Sequence, residues 1–351
     1  MLEELNLRLI KDVDPAIDRI SIEWEIDNPS SVYAAEMMNN RTLLIGGSTW
    51  NRKSVPYTTK LARETPGIIY PASIRDVEIQ AHTERQIQFP TMVNSIVPLG
   101  ENVFVFCKHR ENALNLFDSD LNLITSKDDD WGSGIYNALY QQSADRIITV
   151  SRNGGLNIID PHSLNSDNFI QLNQGNSRLW SITESENGVI AGDYDGNIYI
   201  VPDIFEEDFT TVSPQDYLSG EFPDSVTQYS PAVFGLTTDS NGNIISGSRW
   251  GQVTWFEIEN GLLSPQKYCT IPFEISFVKA LSNQNGILIG TREGVILLLS
   301  DFGGEYSFSE VVRRKPSYQH DNSIWSISES ENNGIIACFA DGQVMGISVK
   351  C

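Results

Sequence analysis

The sequence predicts an all-β, seven-bladed β-propeller of four-stranded blades, with a strand from the N-terminal end closing the last blade. Three observations carry that expectation. One phrase recurs along the chain at blade-like spacing, each copy is punctuated by glycine turns of hairpin length, and helical periodicity is nearly absent.

The recurrence is plainest in two stretches. Residues 178–201 read RLWSITESENGVIAGDYDGNIYIV, and residues 323–347 read SIWSISESENNGIIACFADGQVMGI. Taking Trp180 and Trp325 as an anchor column, further copies align with Tyr33, Asn94, Tyr136, Phe234 and Val278 as anchors. Successive anchors lie 42 to 61 residues apart, near the spacing of about 40 to 50 seen in propeller blades. Seven copies make one domain over residues 1–351, with longer connections around 48–90 and 202–231.

Within a copy, residues 242–256 (GNIISGSRWGQVTWF) and 285–299 (NGILIGTREGVILLL) read as strand, tight turn, strand. Glycine belongs in such turns because short hairpin connections need positive φ, which Gly, Asn and Asp adopt at least cost. The last copy ends soon after its third strand. The alternating run LNLRLIKDV at residues 5–13 is therefore expected to supply the missing fourth strand and cover an exposed sheet edge.

The unit of anchor strand, turn, apolar strand, Asp-Gly and apolar strand resembles the WD40-like repeat family over nearly the whole chain. The likeness is divergent. No copy opens with Gly-His or closes with Trp-Asp, and only Asp195 and Asp341 stand where the family's turn aspartate lies. The family's His-Asp network is therefore not implied here.

Composition narrows the function. With 40% apolar and 10% aromatic residues in 351, the chain can bury a large core. Its 46 acidic against 24 basic residues give a formal charge of −22, which opposes nucleic acid as the main partner and anionic membrane surfaces. Cys107, Cys269, Cys338 and Cys351 have neither disulfide-framework nor zinc spacing, which fits a reducing compartment. The first residues lack a signal-peptide pattern, and no apolar run approaches a membrane span, so a soluble cytoplasmic protein is expected.

Catalytic patterns are sparse. His82, His109, His162 and His320 fall in different copies without metal-ligand spacing, so no metal and no cofactor is expected. His320 and Asp321 precede the last anchor strand and faintly resemble the WD40-like diphthine methylesterases, which leaves a channel-mouth hydrolase as the alternative function. The main expectation is a non-catalytic scaffold that docks a partner protein or peptide, alone or within a multi-subunit complex, by presenting preformed loops.

The docking residues are expected in two columns. The residue opening the second turn of several copies is basic: Arg152, Arg249 and Arg292, with Lys108 at the corresponding place. Such an arc suits carboxylates and phosphates, although the same residues also fit routine surface ion pairs. Arg178 and Trp250 adjoin this arc, and the anchors Trp180 and Trp325 either line a rim beside it or pack between blades as core.

Overall fold

The computed structural model describes the chain apart from residues 1–2, 5–7, 10–19, 28–30, 40, 50–64, 76–77, 108–112, 129–133, 174–176, 220, 223, 283–285, 303–304, 314–322, 331–333 and 350–351. The architecture is all-β: seven antiparallel four-stranded sheets are the blades of a propeller. The chain packs as two compact units.

One unit, residues 16–147, 160–165 and 315–351, holds the first, second and seventh sheets. The first comprises Ser31–Asn39, Thr42–Ser48, Gly67–Arg75 and Glu78–Ala81, with Ile87–Phe89 also paired to its third strand. The second comprises Val93–Leu99, Asn102–Cys107, Leu114–Phe117 and Leu123–Lys127, and the seventh Ile324–Ser330, Gly334–Phe339, Gln343–Val349 and Ile20–Asp27. Two apolar clusters fill the spaces between them. Leu43, Ile45 and Tyr70 meet Ile336 and Val344 of the seventh sheet, while Leu44 and Ile69 meet Val93, Ile96 and Val105 of the second.

The other unit, residues 1–15, 148–159 and 166–314, holds the fourth, fifth and sixth sheets. These are Leu179–Ser185, Gly188–Asp193, Ile198–Val201 and Thr210–Val212; Val233–Thr238, Ile244–Ser248, Gln252–Glu259 and Leu262–Thr270; and Ile275–Ala280, Gly286–Thr291, Val295–Phe302 and Glu305–Arg313. Residues of the third sheet, Ile135–Gln141, Arg146–Ser151, Gly155–Ile159 and Ser166–Gln171, fall in both units.

Every residue of Gly188–Asp193 and of Gly286–Thr291 is buried. Strands covered on both faces lose the alternation of a half-exposed strand, so these segments read as nearly unbroken apolar runs. Glycine sets the approach distance. A Cβ on Gly192 would lie 2.6 Å from Val233 Cγ1, and one on Gly247 would lie 2.3 Å from Val278 Cγ2.

The anchor column has a backbone cause. In the first, second, fourth, fifth and seventh sheets the pairing register skips one residue of the first strand, and the skipped residues are Tyr33, Asn94, Trp180, Phe234 and Trp325. Each anchor is thus a β-bulge, the extra residue that re-aims a side chain and increases local twist. In the sixth sheet the skipped residue is Ser276, not Val278. Val278 had matched the column by apolarity; it is a buried core residue two positions further on.

The closing strand also differs in place. Ile20–Asp27 completes the seventh sheet, pairing from Ile20 with Val349 to Asp27 with Gln343. Arg8–Leu9, inside the expected run 5–13, instead pairs parallel with the outer strand of the sixth sheet, and Glu3–Glu4 does the same on the fifth. The run ISIEWEID pairs seven of its eight residues with Gln343–Val349, whereas the described residues of the earlier run, Arg8 and Leu9, both pair with the sixth sheet.

Candidate docking site

Three sheets place one residue each at the end of the second strand and tie it back to the entry of the first. Tyr194 N–H donates to Arg178 O at 2.8 Å, Arg249 N–H to Ala232 O at 2.8 Å, and Arg292 N–H to Glu274 O at 2.9 Å. Arg249 and Arg292 therefore hold equivalent places in their sheets, and Tyr194 holds that place in the fourth sheet. Ala340 holds the same place in the seventh sheet, donating to Ser323 O at 2.9 Å.

The side chains of Arg249 and Arg292 converge on one carboxylate. Arg249 Nε donates to Glu274 Oε2 at 2.9 Å, and Arg292 Nε lies 3.7 Å from the same oxygen. Arg249 also points Nη1 at the Tyr194 hydroxyl, 3.3 Å away, and lays its guanidinium over the Tyr229 ring at 3.8 Å. It is only 7% exposed. One of the residues expected to dock a partner is thus committed to holding the site together.

Arg292 stands differently. Its side chain is 38% exposed and its guanidinium lies 6.0 Å from the Phe234 ring centroid. Burial, then the neighbouring charge of Arg249, draw its pKa below the ordinary arginine value, with Glu274 opposing. Beside it, burial raises the Glu293 carboxyl, whose Oε1 accepts the Glu274 backbone N–H at 3.3 Å.

Aromatic residues border the cluster. Trp180 meets Phe234 with centroids 5.1 Å apart, Tyr194 meets Phe234 at 6.2 Å, and the exposed Arg178 reaches over Tyr194 at 5.9 Å. Arg178, Trp180, Arg249 and Arg292 are therefore brought together. Tyr194, Tyr229 and Glu274 complete the cluster and were missed from sequence, where only the Tyr of the repeat phrase GDYDG stood near the column.

Trp250 has another task. Its Nε1 donates to Tyr229 O at 2.8 Å and its ring packs 5.3 Å from Phe222. Together with Gln252, which bonds the Tyr217 carbonyl and the Ser219 N–H, both at 2.9 Å, it straps down the 202–231 connection. Tyr217, fully buried, donates its hydroxyl to Gly196 O at 2.6 Å, and Ser230 Oγ donates to Tyr194 O. This connection is a fixed strap whose end carries Tyr229 onto Arg249.

The remaining expected residues lie elsewhere. Arg152 is exposed and opens the turn after the second strand of the third sheet. Trp325 belongs to the other unit, where it packs edge-on against Tyr33 and beside Met92. Lys108, and the His320 and Asp321 of the hydrolase alternative, lie outside the described residues. The described part of 48–90 is mostly blade, since it supplies strands Gly67–Arg75, Glu78–Ala81 and Ile87–Phe89. Among the described residues no group of three metal-binding side chains occurs, and no helix is long and apolar enough to cross a membrane.

No protein-family model matches the chain, and no curated protein matches it. Solved structures do. The WD40 β-propeller domain of Doa1 superposes with a TM-score of 0.67 over 94% of this chain and 97% of its own, at 14% identity. A chain of the mitotic checkpoint complex superposes with a TM-score of 0.66 over 99% of this chain and 100% of its own, at 10% identity. The chain thus has the seven-bladed fold of WD40 β-propeller domains, in a divergent form that no subfamily model describes.

Proposed function

We propose that this protein is a docking scaffold whose working surface is the cluster of Arg178, Tyr194, Arg292 and Trp180, and whose partner is a protein presenting an acidic or phosphorylated segment. The observation that carries the reading is the pair Arg249 and Arg292 sharing the single carboxylate of Glu274. Arg249 is buried in that contact, while the Arg292 side chain is 38% exposed and stands where burial and the charge of Arg249 disfavour its own charge. An incoming carboxylate or phosphate relieves that field and gains a charge-assisted, bidentate partner. The neighbouring aromatics supply the apolar area that anchors an interface.

Rigidity supports the same reading. The strap of residues 202–231 is held before any partner arrives, so little ordering entropy is lost on binding. One solved neighbour is a WD40 β-propeller domain, and the other is a chain of the mitotic checkpoint complex. A cytoplasmic location belongs to this proposal; the buried free thiols of Cys269 and Cys338 are consistent with it.

The test is comparative capture from host lysate by the wild-type chain and by Arg178→Glu with Arg292→Glu, followed by quantitative mass spectrometry. A stoichiometric partner that the variant loses, and that elevated salt also weakens, supports the site. A partner retained equally by the variant places docking elsewhere.

A further inference from the structure

On the first sheet, far along the sequence from the arginine cluster, three side chains line up as nucleophile, base and orienting carboxylate. Ser73 Oγ lies 2.7 Å from His82 Nε2, and His82 Nδ1 lies 3.2 Å from Glu84 Oε1. We propose that Ser73, His82 and Glu84 form an acyl-transfer site that hydrolyses small carboxylic esters.

The hydrogen-bond chemistry fixes the direction of the relay. An ionised carboxylate only accepts, so the nitrogen facing Glu84 carries the proton and donates it. That leaves Nε2 as the acceptor, and the Ser73 hydroxyl must donate to it. This tautomer is the one in which imidazole can withdraw a proton from an alcohol, with the third group holding the ring in place.

The backbone explains why the three residues meet. Ser73 lies in strand Gly67–Arg75, paired on one side with Thr42 and on the other with Gln80 of the outer strand. His82 follows two residues after Gln80, returning toward the strand by donating its N–H to Pro71 O at 2.9 Å. The 3-10 turn Thr83–Arg85 then folds Glu84 back beside the imidazole. Directly paired residues share a sheet face, so the exposed Gln80 lies on the face of Ser73, and its carboxamide is the donor this proposal assigns to developing negative charge on a carbonyl oxygen.

The chemistry balances without a cofactor. Ser73 Oγ bonds to the acyl carbon as its proton passes to His82 Nε2, and the ester C–O bond breaks with that proton going to the leaving alkoxide. Water then gives a proton to Nε2 and bonds to the acyl carbon; the acyl–Ser73 bond breaks and the proton returns to Ser73. The products are a carboxylic acid and an alcohol. His82 is 24% exposed and Glu84 69% exposed, so the imidazole and its carboxylate partner are reached from solvent.

A fluorophosphonate probe tests this, because it phosphorylates activated serine hydroxyls and is insensitive to adventitious imidazole catalysis. Intact mass and peptide mapping of the full chain should find one adduct, on Ser73. Labelling should vanish in Ser73→Ala and slow at least tenfold in His82→Gln, with melting curves confirming that both variants fold. Glu84 is a positioning residue: nitrogen NMR of the imidazole should show the Nδ1–H tautomer in wild type and a mixture in Glu84→Gln, with slower labelling. No adduct on Ser73, or equal labelling rates in wild type and His82→Gln, overturns the proposal.

Discussion

Trp325 of the seventh sheet meets Tyr33 of the first edge-to-face, with ring centroids 5.5 Å apart and planes at 70°. Both are bulge residues, and so are Trp180 and Phe234, which meet at 5.1 Å in the other unit. The bulge turns each anchor toward the neighbouring sheet while leaving Trp325 and Trp180 half-buried. Rim and core are thus one position. In the second sheet Asn94 does the same work with a hydrogen bond, its Nδ2 donating to Ile135 O at 3.0 Å. Trp325→Ala should cost about 2 kcal/mol, less than the full price of emptying a buried tryptophan, and Trp325→Phe under about 1 kcal/mol. Denaturant unfolding measures both; a neutral Trp325→Ala would show that the pair does not join the sheets.

Gly247 should tolerate no side chain. Its Cβ would lie 2.3 Å from Val278 Cγ2 and 2.8 Å from Ile275 Cγ2, both buried and walled in. Gly247→Ala is expected to destabilise by about 1 to 3 kcal/mol through overpacking. Adding Val278→Ala should recover part of that loss, a coupling that a double-mutant cycle reads directly.

The two arginines should separate by function. Arg249→Ala leaves Glu274 without its 2.9 Å partner in a largely desolvated place and should cost about 3 kcal/mol. Arg292→Ala, with a longer and more exposed contact, should change stability by less than about 1 kcal/mol while weakening partner capture. Equal stability losses would mean that both are struts.

Acid sensitivity should trace partly to two turn aspartates. Asp118 is lowered from 3.8 first by the side-chain hydrogen bond from Asn122, and Asp160 first by the backbone N–H of Ser163. A depressed folded value means a contribution fully present above the ordinary carboxylate range and lost as pH falls through the lowered folded values. Melting temperatures of wild type should therefore fall more steeply between about pH 5 and pH 2 than those of Asp118→Asn with Asp160→Asn. Parallel curves would assign acid sensitivity to other groups.

Much of the fold can be read from local pattern, because each copy solves the same packing problem with the same residue types. The bulge anchors Trp180 and Trp325 repeat inside one phrase, and the Arg249 and Arg292 column follows from turn position alone. What the pattern misses depends on contacts between distant segments. Nothing near Arg249 in sequence announces Glu274 or Tyr229, so its burial is invisible there. Ser276 went unrecognised because a serine satisfies the bulge geometry without an aromatic ring. Ser73 and His82 lie nine residues apart in a stretch that reads as a long loop, and only the return of the chain at Pro71 joins them.

The strand Ile20–Asp27 has a consequence for how the molecule is made. Its pairing partner, Gln343–Val349, lies roughly 320 residues later in the chain. During synthesis the early strand leaves the ribosome well before its partner and stays unpaired until that partner has followed, with the alternating apolar face of ISIEWEID uncovered throughout. The loop-closure entropy of such a contact grows only slowly with length. The cost falls on time instead: for the whole interval this segment is open to chaperones and to wrong edges, and the seventh sheet is the final one that can lock.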